Sequence, residues 1–142
     1  MEKAIFACGC FWGVESTFRK LEGVISTAVG YTGGRTENPT YKEVCNGNTN
    51  HAEAVLVDFN PNEISYEKLV NVFFKIHDPT TLNRQGPDAG TQYRSVVFHH
   101  NEEQEKIAKA SKEKLEKSGK YTNKIVTQIE LAPEFYKAED YH

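Results

Sequence analysis

The chain has 142 residues, with 17 Lys and Arg against 20 Asp and Glu for a net charge of −3, the size of one domain that buries a core without metal or disulfide support. The mildly acidic balance, with no basic cluster, speaks against nucleic acid or an anionic membrane as partner, and no apolar run reaches the length of a signal-peptide core or a membrane span, so the expected location is the cytoplasm. Three cysteines, an odd number at uneven spacing, speak against a secreted disulfide framework and for free thiols in a reducing compartment.

The apolar run Ala4-Ile5-Phe6-Ala7 predicts a first strand that ends at Cys8-Gly9-Cys10. Phe11, Val14, Phe18 and Leu21 then keep helical spacing, so a glycine turn and a helix follow. Gly23 to Thr32 reads as a second strand closed by the turn Gly33-Gly34. Asn38-Pro39-Thr40 opens a short helix through Tyr41 to Cys45, because proline suits a first helical turn. After the loop Asn46 to Asn50, a third strand is entered through His51-Ala52-Glu53 and sets Val55, Val57 and Phe59 on one face. Ser65 caps a helix in which Tyr66, Leu69, Val70, Phe73 and Ile76 form one apolar stripe. From His77 to Tyr93 the periodicity stops, and a polar loop of this length in a compact domain reads as functional. Arg94 to His99 is a further strand, and Asn101 with Gln104 forms a capping-box pattern at the head of a charged helix to Ser118 that turns Ile107, Ala108, Ser111 and Leu115 inward. Ile125, Thr127, Ile129 and Leu131 alternate in a last strand, before a polar and aromatic tail. Strands interleaved with helices in this order give a single-domain, two-layer α/β sandwich with a mixed sheet and a ferredoxin-like core.

Cys10 stands at the predicted helix N-terminus, where unpaired N–H groups and the positive end of the helix dipole favour a thiolate and hence a nucleophile. Phe11 and Trp12, the single tryptophan, follow it directly and suggest a site for a small, partly apolar substrate. Glu53 opens a strand whose later residues are strongly apolar, which sets its carboxyl near the core edge, where desolvation raises its pKa and lets it donate a proton near neutral pH. The competing reading is a solvated glutamate at a strand end. Tyr41 and Tyr93 offer phenolic O–H donors or simply pack with their hydroxyls at the surface, and Asp88 in the polar loop reads equally as a turn residue. His77, His99, His100 and His142 have no partner that the sequence names and read as structural or surface residues.

Five segments resemble the A-type methionine sulfoxide reductases, the peptide-methionine (S)-S-oxide reductases, in the family's order and over nearly the whole chain. They are Gly9-Cys10-Phe11-Trp12-Gly13, Gly30-Tyr31-Thr32-Gly33-Gly34, Tyr41 to Cys45 running on to His51-Ala52-Glu53-Ala54-Val55, Gly90-Thr91-Gln92-Tyr93-Arg94-Ser95, and Phe135-Tyr136 with Ala138 to His142. The resemblance implies that Cys10 is the nucleophile and Glu53 the proton donor. By the same resemblance Tyr41 and Tyr93 hold the sulfoxide oxygen, Phe11 and Trp12 wall in the substrate methyl group, and Asp88 is a supporting polar residue. It also implies an α/β sandwich around a mixed sheet, no cofactor beyond an external thiol reductant, and selection of the S epimer.

The chain departs from many relatives in carrying no cysteine after Cys45, so it reads as one reductase domain, residues 1–142, without a tail of resolving cysteines. Cys8 and Cys45 are the internal candidates for resolving a Cys10 sulfenic acid. A Cys8–Cys10 disulfide would close a small strained ring, and Cys45 reads as a packing residue, so the expected reductant is external: thioredoxin, glutaredoxin or a small thiol. The resemblance implies methionine sulfoxide, free or in proteins, as the substrate, and the expected state is a monomer. A rival reading takes Cys8, Cys10, Cys45 and His51 as zinc ligands, but the Cys-x-Cys spacing is atypical and no second pair follows, so no metal is expected. The other rival is a thiol-bearing binding module without catalysis.

Overall fold

A continuous apolar run can be buried on both faces only at the middle of a sheet, and that is where β1 (Glu2–Cys8) lies, with Ala4 to Cys8 all buried. The structure, a computed structural model, describes residues 2–9, 11–34, 44, 51–85, 88–121, 123–133 and 135–138, without the side chains of residues 11, 12, 84, 88, 89 and 91. After β1 come α1 (Phe11–Arg19), β2 (Val24–Thr32), β3 (Ala52–Phe59), α2 (Tyr66–Lys75), β4 (Arg84–Gln85), β5 (Asp88–Ala89), a 3-10 turn (Thr91–Tyr93), β6 (Ser95–His99), α3 (Glu102–Lys117), β7 (Gln128–Leu131) and β8 (Tyr136–Lys137). Six strands form one mixed sheet in the order β7-β6-β1-β3-β2-β8, in which only β6 and β7 run parallel. The two-residue strands β4 and β5 form a small hairpin of their own.

One face of the sheet carries the larger core. Phe6 stacks on Phe18 of α1 at 5.0 Å and on Phe73 of α2 at 5.4 Å, and Ala108 of α3 joins the same cluster. Ile5, Ala7, Ala54, Val96 and Phe98 point to the other face, where Ala132 and Phe135 pack against them. No helix among the described residues is long and apolar enough to cross a membrane.

The helix starts follow the expected chemistry with one difference. Ser65 accepts from the Lys68 N–H at 3.1 Å, and Asn101 accepts from the Gln104 N–H at 2.9 Å. The return arm of the second box is missing, because the Gln104 amide accepts from the His100 N–H at 2.9 Å and donates to the Lys3 carbonyl at 2.8 Å. It ties α3 to the start of β1 instead of closing its own cap.

Three expectations need adjustment. The last strand begins only at Gln128, because the Val126 N–H donates to the Pro79 carbonyl at 2.8 Å rather than to a sheet neighbour. Ile125 and Thr127 are buried as the alternation requires, but Leu131 is 69% exposed at the end of this edge strand. The stretch from His77 to Tyr93 is not all loop, since it holds β4, β5 and the 3-10 turn, elements too short to leave a period. The C-terminal tail supplies β8, paired with Gly30 and Tyr31. A Cβ at Gly30 would run into the Tyr136 carbonyl oxygen and the Phe135 ring, so this position is glycine to let the tail's backbone lie across β2. The short helix expected from Asn38 to Cys45 lies outside the described residues except for Val44, which is helical and buried.

Candidate active site

Antiparallel pairing of the central strands brings the C-terminal ends of β1 and β2 together with the N-terminal ends of β3 and β6. Cys8 pairs with Ser95, Tyr31 with Glu53, and Thr32 with Ala52. Buried polar side chains concentrate at this end of the sheet: Thr32, His51, Glu53, Gln92, Arg94 and Ser95. Polar groups are expensive to desolvate, so their gathering at one end of the sheet makes it the candidate site.

Glu53 is the carboxyl of this group and is 1% exposed. The solvated strand-end reading therefore fails, because β3 starts inside the protein and not at its rim. His51, two residues before it, accepts from the Gly34 N–H through Nδ1 at 3.0 Å and meets the Tyr136 ring edge-on at 5.7 Å. Its neutral ring thus carries the proton on Nε2. Tyr93 closes the 3-10 turn, with its N–H on the Gly90 carbonyl at 3.0 Å, and that turn packs against β3. Burial pulls the Arg94 guanidinium below its ordinary range, partly offset by the attraction of Glu130.

At the end of β1 the chain turns at Gly9, whose φ of +108° lies where a side chain is strained, and a Cβ there would meet the Gln85 methylenes at 3.1 Å. The strand's alternation therefore stops at Cys8, and α1 begins three residues later at Phe11. Cys8 is 4% exposed in the main core, and its burial pushes the thiol far up from the ordinary cysteine range. Glu53, Tyr93 and Gly9 thus share one end of the sheet. Phe11 and Trp12 open α1, and Asp88 pairs with Gln85 in the small hairpin. Cys10, Tyr41 and Cys45 lie outside the described residues, as do the side chains of Phe11, Trp12 and Asp88. Among the described residues no group of three or more His, Cys, Asp and Glu is placed to hold a metal ion.

The family model of peptide methionine sulfoxide reductases matches residues 2–142. The chain belongs to this family. It is therefore an enzyme, an oxidoreductase that reduces methionine sulfoxide. A peptide methionine sulfoxide reductase MsrA of Methanosarcina acetivorans is 63% identical over 142 residues, which is 100% of this chain and 76% of the relative. A crystal structure of Mxr1 from Saccharomyces cerevisiae in reduced form superposes with a TM-score of 0.92 at 43% identity, covering 99% of this chain and 81% of that one. A second structure of Mxr1, in complex with Trx2, superposes with a TM-score of 0.72 at 31% identity, covering 98% and 81%.

Sequence reasoning found no partner for His77 in this reductase, and the structure supplies two. The Nδ1 atom lies 2.6 Å from the Phe73 carbonyl and Nε2 lies 2.7 Å from Ser95 Oγ. Burial pulls its pKa down from 6.5 to about 4, against smaller opposing effects of the Phe73 carbonyl and Asp78. The unfolded chain therefore takes up this proton first as the pH falls. Above 6.5 the group contributes no pH dependence, and between 6.5 and about 4 stability falls as the solution is acidified. The full loss is on the order of 3 kcal/mol. Denaturant unfolding across that range checks this: His77→Phe should flatten the acid limb, and parallel wild-type and variant curves would count against it.

Proposed function

We propose that this reductase takes the S epimer of methionine sulfoxide, free or in proteins, and transfers its oxygen to Cys10, repairing oxidised methionine. The observation that carries the reading is the placement of buried Glu53 at the sheet end where β1 stops at Cys8 and Gly9 turns the chain. A sulfoxide sulfur is a poor electrophile until its oxygen is protonated or strongly hydrogen-bonded. In this reading Glu53 is the acid aimed at that oxygen, and burial penalises its charged form. Tyr41 and Tyr93 donate to the same oxygen, a stabilisation of the oxyanion-hole kind. Phe11 and Trp12 line the recess for the S-methyl group, with Asp88 in support. Because the sulfur is a stereocentre, apolar and polar walls on fixed sides select one epimer.

The step balances without a cofactor. The Cys10 thiolate supplies two electrons, Glu53 supplies the proton, oxygen passes to Cys10 Sγ, and the products are methionine and a Cys10 sulfenic acid. One external thiol condenses with the sulfenic acid to a mixed disulfide and releases water. A second thiol frees Cys10 and leaves as the external disulfide. Burial of Cys8 with a raised pKa removes the thiolate that an internal attack would need, which favours an external reductant over Cys8. The Mxr1 complex with Trx2 supports a thioredoxin in that role. Free thiols of this kind suit a reducing compartment such as the cytoplasm. The core order β6-β1-β3-β2 supports reading the fold as a two-layer, ferredoxin-like sandwich.

The test is a peptide carrying each diastereomer of methionine sulfoxide, with dithiothreitol as donor and methionine followed by chromatography. Consumption confined to the S form is expected. Equal consumption of both epimers, or none of the S form, would overturn the reading.

A further inference from the structure

We propose that His77 is a positioning residue of the reductase: it ties the start of β6, two residues after Tyr93, to the end of α2 and so holds Tyr93 against the sheet end that carries Glu53 and Gly9. The inference rests on the roles assigned above to Tyr93 and Cys10.

The direction of every proton in the tie follows from its chemistry. A carbonyl oxygen only accepts, so the contact of 2.6 Å to Phe73 requires the proton on His77 Nδ1. The neutral ring then has a bare Nε2, which accepts from the Ser95 hydroxyl at 2.7 Å. Ser95 has now spent its only proton, so at 2.7 Å its oxygen accepts from the Thr127 hydroxyl. Ser95 and Thr127 are buried, and the string joins the end of α2, the start of β6 and the segment that leads into β7.

Both flanks of the proposed site hang on this corner. Ser95 stands two residues after Tyr93, and its Cα partner in the sheet is Cys8, two residues before Cys10. Asp78, the neighbour of His77, donates its N–H to Gln85 Oε1 at 3.0 Å and accepts from Gln85 Nε2 at 2.7 Å. The methylenes of that glutamine are the surface against which Gly9 is packed. A third strand of the corner is the Pro79 carbonyl, which takes the Val126 N–H next to Thr127 at 2.8 Å.

What a satisfied polar string adds is a single geometry, because His77 and Ser95 are each held between two partners at fixed distances. Hydrogen-bond donors that act on a substrate oxygen need that kind of support from residues behind them.

The experiment measures S-sulfoxide reduction with dithiothreitol for the wild type, His77→Phe and Thr127→Val, alone and combined with Tyr93→Phe. Displacement of a positioned donor by a fraction of an ångström is expected to lower kcat about tenfold in His77→Phe and Thr127→Val while KM stays within about twofold. Thr127→Ser, which keeps the hydroxyl, should restore kcat. In the Tyr93→Phe background, His77→Phe should lower kcat by less than about twofold, since the donor it positions is already gone. Thr127→Val is isosteric and serves if His77→Phe does not fold. A kcat within twofold of wild type in Thr127→Val, or losses that multiply with Tyr93→Phe, would overturn the proposal. An inactive wild type would instead overturn the reading of the function.

Discussion

Cys10→Ser should abolish reduction while leaving the fold and the melting temperature as they are. The substitution exchanges one atom, but a hydroxyl at this position is neither ionised near neutral pH nor able to accept an oxygen atom from a sulfoxide. The residue directly precedes α1, whose first turn contains no acidic side chain to offset the positive end of the helix. Gly9, at a φ of +108°, turns the chain out of β1 just before it. Both features favour a thiolate at the place where the strand gives way to the helix, and both would remain in the variant. Loss of a nucleophile with the rest of a site intact costs at least about 10⁴-fold in kcat, which puts Cys10→Ser at the limit of detection. Single-turnover release of methionine from an S-sulfoxide peptide, without added thiol, is the direct measurement. Wild type should release one methionine per enzyme, and the serine variant none. A serine variant that keeps a tenth of the wild-type yield would show that the nucleophile lies elsewhere. Iodoacetamide labelling supplies an independent reading, because a thiolate at Cys10 reacts in mild acid whereas the buried Cys8 thiol does not.

What could be read from the chain before the structure was whatever had a local cause. Ala4 to Ala7 announce a strand buried on both faces, and the stripe from Tyr66 to Phe73 announces the helix that covers it. Ser65 and Asn101 cap their helices with side chains three residues from the groups they bond. The parts that stayed hidden depend on neighbours far along the chain. His77 reads as a spare histidine because Ser95 is 18 residues away, and Thr127 a further 32. The tail strand β8 is two residues long and exists because Gly30 leaves room for it. Glu53 lies between these cases. Its apolar followers marked it as unusual, but only the pairing of Tyr31 with Glu53 turns a strand end into an interior position. The family resemblance implied its role, while the burial of Thr32, His51 and Arg94 together with it at one end of the sheet is something no periodicity reports.

Glu53→Gln should lower kcat by about 10²- to 10³-fold, the usual share of a positioned general acid, and leave KM within a few-fold of wild type. Glutamine keeps the length and shape of the side chain and can still donate a hydrogen bond to the sulfoxide oxygen. It cannot give up its proton. The difference between the two side chains therefore isolates proton transfer from polarisation, and the loss belongs in kcat because the proton moves only on the way to the transition state. An amide is also a neutral group at every pH, so burying it at the 1% exposure of Glu53 carries no charge penalty, and the variant should melt no lower than wild type. The pH profiles then separate the alternatives. If Glu53 is the acid, the alkaline limb of the wild-type kcat profile reports loss of its proton, and that limb should vanish in Glu53→Gln at a much lower plateau. An enzyme with glutamine here that keeps a third of wild-type kcat would assign the proton to another donor. Tyr93 is the group to examine in that event, because its turn packs on the strand that carries Glu53. Tyr93→Phe in wild type should cost only about 10-fold, the loss of one hydrogen bond to the developing charge, so the order Glu53→Gln below Tyr93→Phe distinguishes an enzyme that drives the reaction by proton donation from one that drives it by polarising the oxygen.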